Sequence, residues 1–363
     1  MKQRYVYQTV LLGIFVLALS LWCWLRPHDA ASESERRTLA QFPALTTEAL
    51  FSGSFMSDFE TATLDQFPAR DTFRGFKSAV SLYLLGNLDT NGLYTAEGHI
   101  AKSDYPLSPA MLDIAAEKFA WLHDTYLQDS NAVYLSIIPD KHHFLADGTP
   151  RLAADFDAAV QAMRDSLPQM TYLPIDDLLS AEDYYRTDSH WKQECLQDIA
   201  DRLAAGMGAS LDAGYETRVY DAPFYGVYKG QLALPAKPDT IRYLTNDTLE
   251  GCTVTSWKSG KAAESAVYDL APQRDAYDLF LGGADPLIVI ENPDAATDRE
   301  LILFRDSYGS SLAPLLVDGY AKVTLIDIRY IQSAMLGNLI DFSGSDVLFL
   351  YSTTMLGSAT AFK

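Results

Sequence analysis

Four short apolar runs without polar alternation fall in the C-terminal third of the chain: "PLIVIE" from Pro286, "LILF" from Leu301, "KVTLIDI" from Lys322 and "DVLFLY" from Asp346. A strand with one wet face alternates apolar and polar residues, whereas strands buried on both faces read as continuous apolar runs. "AVYLSII" (132–138) and "TYLPI" (171–175) have the same character earlier in the chain. Between these runs lie segments with helical spacing. One starts at Ser108-Pro109 and carries Met111, Ile114, Ala115, Phe119 and Leu122 to about Leu127. A second runs from Leu152 to Leu167, and a third from Trp191 to Met207 with Leu196, Ile199 and Leu203 on one face. The alternation predicts an α/β fold: a mostly parallel sheet with helices on both faces. Residues 215–282, rich in Tyr, Thr, Gly and Pro, read as a β-rich or irregular insertion, and the Asn-Gly and Glu-Gly pairs of "NGLYTAEGHIAK" predict a small hairpin around Leu88 to Lys102.

The N-terminus is different in kind. After Lys2 and Arg4, "YVYQTVLLGIFVLALSLWCWL" has no charge over about 20 residues, the length of a helix that crosses a bilayer. Trp22 and Trp24 suit an interfacial belt and fit a signal-peptide cleavage site poorly, so residues 1–26 read as one uncleaved membrane anchor. Basic residues precede the span and Asp29, Glu33 and Glu35 follow it, which places the body outside a cell membrane crossed once. Residues 27–75 read as a linker and wrapping segment, and 76–363 as the α/β body. With 48% hydrophobic residues over 363 positions the body has ample core, and the net charge of -20 excludes a nucleic-acid partner, which needs clustered Lys and Arg. Cys23 lies within the span; Cys195 and Cys252 are left open between a disulfide and two buried thiols.

Two constellations carry possible chemistry. In an open α/β sheet ligands bind outside the carboxyl ends of the strands, where "LILFRDSYGSSL" places Ser307, between a strand and a helix start. Alone, Asp-Ser-x-Gly is also ordinary turn chemistry. The second is "YYRTDSHWKQE", in which Asp188 and His190 stand at i and i+2 and face one side of an extended segment. A carboxylate there can hold one imidazole nitrogen and free the other as a base, supplying two members of a triad that Ser307 completes. Read without Ser307, Asp188 is as well explained as a helix cap. His142 and His143 read as solvated loop residues, and Ser310 and Ser311 as first-turn helix residues; nothing calls for a cofactor or a metal.

"TDSHW" with "LFRDSYGSSLAP" resembles the DHHW family of extracellular proteins, which is similar to the alginate O-acetyltransferases and shares their SGNH-hydrolase-like domain. "SESERRTLAQFPAL", "SGSF", "DQFPARD", "NGLY", the "PDK" of Pro139 to Lys141, "FYGVYKG" and "DIRY" follow in that family's order. The resemblance implies Ser307 as nucleophile, His190 as base and Asp188 as its orienter, and an SGNH-hydrolase-like fold. Ser189 replaces one histidine of the family's name motif, and Arg305 stands where SGNH hydrolases carry the glycine of Gly-Asp-Ser. The Ser307 backbone N–H is the expected oxyanion donor, with Lys141, Arg305, Arg329 and Tyr330 as candidates for the substrate or oxyanion site. The implied function is extracytoplasmic O-acetyl transfer to a cell-envelope or exported polysaccharide, with a separate multi-spanning membrane acyltransferase supplying the acetyl group. The alternatives are an acetyl esterase using the same residues and a non-catalytic glycan-binding or scaffold protein.

Overall fold

A computed structural model describes residues 2–128, 132–211, 214–271 and 274–363, so Met1 of the expected anchor and residues 272–273 of the expected insertion lie outside it. The chain divides into two compact units: Met1–Thr90 with Lys229–Ala236, and Asn91–Tyr228 with Lys237–Lys363.

The first unit begins with helix α1 (Lys2–Leu25), of which Arg4–Leu25 is long and apolar enough to cross a membrane. Beyond it, Arg37 donates to Asp65 and holds that carboxyl down to about 2. The backbone of Gly230 returns so close to the Ser34 carbonyl that a Cβ would lie 1.6 Å from its oxygen, which only glycine allows.

The second unit is built on one eight-stranded sheet. Its strands are β1 (Ala132–Ile138), β2 (Thr171–Tyr172), β3 (Thr253–Ser256), β4 (Ala263–Ser265), β5 (Leu287–Glu291), β6 (Glu300–Arg305), β7 (Lys322–Ile326) and β8 (Asp346–Ser352), in the spatial order β4-β3-β5-β7-β6-β8-β1-β2. From β7 to β2 all pairings are parallel; β5, β3 and β4 extend the sheet antiparallel. The main helices are α2 (Pro109–Tyr126), α3 (Phe156–Ser166), α4 (Gln197–Gly206) and α5 (Gly309–Leu316). Strand periodicity divides the core into two layers. Leu301 and Leu303 of β6 pack toward α4 and α5, while Ile302 and Phe304 pack toward α2 and α3. The fold is therefore α/β, with a mostly parallel sheet covered on both faces.

Three local expectations change. "PLIVIE" forms a strand but runs antiparallel to β7. The second helix begins at Phe156, because Asp155 caps it by accepting from the Ala158 N–H at 2.9 Å. The third begins only at Gln197: Trp191 pairs with Tyr184 in an isolated bridge, and Gln193–Cys195 form a short 3-10 turn. The predicted hairpin forms from Leu93–Ala96 and His99–Lys102. Within 215–282, Glu216–Phe224 and Asp239–Thr245 pair as a separate ribbon, while β3 and β4 join the main sheet.

Candidate active site

β6 ends at Arg305 on the carboxyl edge of the sheet and α5 begins at Gly309, so Asp306, Ser307 and Tyr308 must make the turn between them. Asp306 shapes it. Its buried carboxylate accepts the Tyr308 N–H on Oδ1 at 3.0 Å and, on Oδ2, the N–H and hydroxyl of Ser352 at 2.9 and 2.7 Å. Since Ser352 ends the adjacent β8, the turn is fastened to the neighbouring strand by charge-assisted hydrogen bonds. Gly309 is required for the close approach of helix to strand, because a Cβ there would lie 2.7 Å from that of Arg305. Ser307 is left half-buried at the head of the turn.

The Tyr184–Trp191 bridge and the bond from the Tyr185 N–H to the His190 carbonyl close a loop that carries Asp188 and His190. The Asp188 carboxylate is fully buried, and its Oδ1 lies 2.6 Å from His190 Nδ1 and accepts the His190 backbone N–H at 3.1 Å. Oδ2 accepts the Val227 N–H at 2.8 Å. With the Nδ1 proton held by the carboxylate, His190 Nε2 is free to accept the Ser307 hydroxyl, 2.7 Å away. The structure thus brings Ser307, His190 and Asp188 into one hydrogen-bonded chain. Gly226 allows its backbone to lie against Asp188, whose Cβ would be 2.3 Å from a side chain placed there.

Packing fixes the imidazole further. The Tyr277 ring stacks on His190 at 3.9 Å with 11° between planes, and Tyr308 leans on it at 4.9 Å. Ser311, placed in the first turn of α5, accepts the Trp191 Nε1–H at 2.9 Å and lies 2.8 Å from the Tyr277 hydroxyl, tying one end of the histidine loop and the ring stacked on His190 to the helix that follows Ser307. Tyr277 has no motif around it in the sequence; it arrives with the aromatic cluster of Tyr185, Tyr220, Phe224, Tyr243 and Phe280.

Lys141 lies wholly inside the protein. Its ammonium donates to the carbonyls of Asp188 and Tyr185 at 2.6 and 2.9 Å and stands 5.1 Å from the Tyr228 ring. Burial pushes it down to about 8. The group grips the main chain of the Asp188 loop rather than facing solvent. Arg305 is 1% exposed, and its Nη1 is 3.6 Å from Asp327; burial lowers its pKa. Arg329 grips the same carboxylate with two nitrogens, at 2.8 and 2.6 Å. Tyr330 is about half-exposed, at 48%.

The adjacent histidines differ from expectation. They lie on the short helix Lys141–Leu145, and His142 is buried, its Nδ1 2.7 Å from the Tyr94 hydroxyl and its Nε2 3.1 Å from the Leu152 carbonyl. Two partners for the two ring nitrogens make burial tolerable. Among the described residues no group of three or more His, Cys, Asp or Glu side chains is arranged to hold a metal ion. Cys195 and Cys252 are free thiols, both pushed up to about 11 by burial.

No protein-family model and no curated protein sequence matches this chain. Solved structures do. A DHHW family protein from Eubacterium siraeum superposes with a TM-score of 0.61 at 21% identity, over 75% of this chain and 95% of that one. PatB1 of Bacillus cereus superposes with a TM-score of 0.57 at 17% identity, over 73% and 96%; its structure with a sulfonyl adduct gives the same score over 73% and 95%. The likeness is one of fold: this chain carries the SGNH-like α/β architecture of that DHHW family protein and of PatB1.

Proposed function

We propose that this protein is an acyl-transfer enzyme, an O-acetyltransferase acting on a cell-envelope or exported polysaccharide through Ser307, His190 and Asp188. The observation that carries the reading is the unbroken Asp188–His190–Ser307 chain, with contacts of 2.6 and 2.7 Å, at the carboxyl edge of the sheet. As Ser307 Oγ attacks the carbonyl carbon of an acetyl donor, His190 Nε2 takes its proton and Asp188 stabilises the imidazolium. The Tyr308, Gly309 and Ser310 N–H groups are engaged by Asp306 and Ser307 oxygens, which leaves the Ser307 N–H to meet the oxyanion. His190 then returns the proton to the departing oxygen, and Ser307 carries the acetyl group. In the second half an acceptor hydroxyl gives its proton to His190, attacks the ester and regenerates Ser307. With the His190 side chain 14% exposed, water can reach the same centre, and this favours acetyl esterase as the second reading.

The apolar helix anchors the body, in this reading, on the outer side of the membrane, and a separate multi-spanning acyltransferase delivers the acetyl group. The acidic balance of the chain disfavours a polyanionic acceptor. The test is a double-mutant cycle on the turnover of 4-nitrophenyl acetate. Ser307→Ala and His190→Ala should each reduce kcat by at least about a thousandfold, and the double variant should lose little more than either alone. Additive losses would show that the two do not share a step.

A further inference from the structure

A cleft of about 270 Å³ is lined among others by Ser103, Asp104, Tyr105, Tyr228, Thr354 and Ser358. It lies outside the carboxyl ends of β8 and β1, where the strand order reverses: from β1 the chain runs outward to β2 on one side, and β6, β7 and β8 fill the other. Crevices at such reversals are where open α/β sheets take ligands. The two strand ends are joined across it. The Asp140 N–H donates to Thr353 Oγ1 at 3.2 Å, and the hydroxyls of Thr354 and Tyr228 donate to Asp140 Oδ2 at 3.3 and 3.4 Å.

Both walls are one residue from groups that support the catalytic chain. Tyr228 follows Val227, whose N–H holds Asp188, and Thr353 follows Ser352, which holds Asp306 next to Ser307. The lining is chemically distinctive. Hydroxyls line it from Ser103, Tyr105, Tyr228, Thr354 and Ser358: those of Tyr228 and Thr354, whose protons go to Asp140, offer acceptor lone pairs, and the others can both donate and accept; Asp104 adds a carboxylate acceptor, and the Tyr105 ring is half-exposed, at 50%. A sugar ring presents the complement: hydroxyls that need both donors and acceptors, and an apolar C–H face that packs on an aromatic ring. Lys102 and Asp104 offset one another in the lining, so the cleft offers no surplus of positive charge to a carboxylated or phosphorylated group.

We infer that this cleft is a binding subsite for an uncharged sugar ring, which holds the acceptor glycan next to Ser307; its role as an acceptor subsite rests on the acyl-transfer reading above. The experiment has two arms on the full chain in detergent micelles. In the first, calorimetric titration measures cellotetraose, maltotetraose, tetra-N-acetylchitotetraose and, as the charged comparison, trigalacturonate. At least one neutral oligosaccharide should bind, and Tyr105→Ala and Thr354→Val, on different walls, should each weaken it at least tenfold. Absence of binding by every neutral oligosaccharide, equal binding by both variants, or a preference for trigalacturonate would overturn the assignment. In the second arm, Ser307-dependent release of 4-nitrophenol from its acetate is followed, with the same oligosaccharide present as acceptor. The ratio of transfer to hydrolysis should fall at least tenfold in each variant. Cleft-dependent sugar binding without any Ser307-dependent release would leave the subsite standing and remove the acyl-transfer reading.

Discussion

Replacing Lys141 by methionine keeps the length of the side chain and removes its charge. Because burial holds the ammonium near 8 against an ordinary 10.5, keeping it charged at neutral pH costs about 3 kcal/mol. Methionine relieves that cost. It also strands the buried carbonyls of Asp188 and Tyr185, each worth about 1–3 kcal/mol when left without a donor. The two effects oppose one another, so stability should change by no more than about 3 kcal/mol in either direction. Catalysis should respond quite differently. The Asp188 main chain loses its grip, and a displacement of about 1 Å in a catalytic group costs about a hundredfold. Urea unfolding and kcat/KM for 4-nitrophenyl acetate, measured side by side, test this: a folded Lys141→Met with wild-type kcat/KM would refute the clamp. The pH dependence gives an independent sign. The cost of the charged lysine is fully present below pH 8 and is relieved as pH rises toward 10.5, since the unfolded chain holds that proton longer. Wild type should therefore gain stability relative to Lys141→Met between pH 8 and 10.5, and a difference that does not vary with pH would contradict a buried ammonium.

Asp306→Asn should leave Ser352 with donors that an amide cannot satisfy in the same arrangement, lowering stability by about 2–4 kcal/mol and ester turnover at least about tenfold through a loosened Ser307 turn; unchanged melting and turnover would remove Asp306 from that support. For topology, protease added to intact cells, with any wall removed, should digest the body after about Pro27, and a protected body would contradict an outward orientation.

The core of the fold and the members of the Asp188–His190–Ser307 hydrogen-bonded chain were legible because each is written locally. β6 and β8 read as buried strands from residue type alone, and Asp188 and His190 are close enough in sequence to meet, although they do so in a bent loop, where the Asp188 carboxylate also accepts the His190 backbone N–H, rather than through the strand periodicity expected of them. Properties set by distant partners were not legible. "PLIVIE" declares a buried strand but not its direction, which is set by its antiparallel pairing with β7 and β3. Trp191 to Leu196 has helical spacing, yet its first residue is used in the bridge to Tyr184 and its indole N–H by Ser311. His142 looks like a loop residue until Tyr94 and Leu152 are brought to its ring. Tyr277 reaches His190 only through the aromatic cluster, and Lys141 declares neither its burial nor its carbonyl partners. Ser311 shows in sequence as a first-turn residue, and its second task depends on two rings from elsewhere in the chain.

The central claim is that Ser307 is an activated nucleophile, and covalent labelling tests it most directly. A serine-directed phosphonate should add once to the full chain, on Ser307 and not on the buried Ser310 or Ser311, as read by intact-protein and peptide mass spectrometry. His190→Ala should abolish the adduct, because the base that takes the Ser307 proton is then gone. Folded wild-type protein that stays unlabelled by phosphonates of different size, or that is labelled equally without His190, would contradict the account.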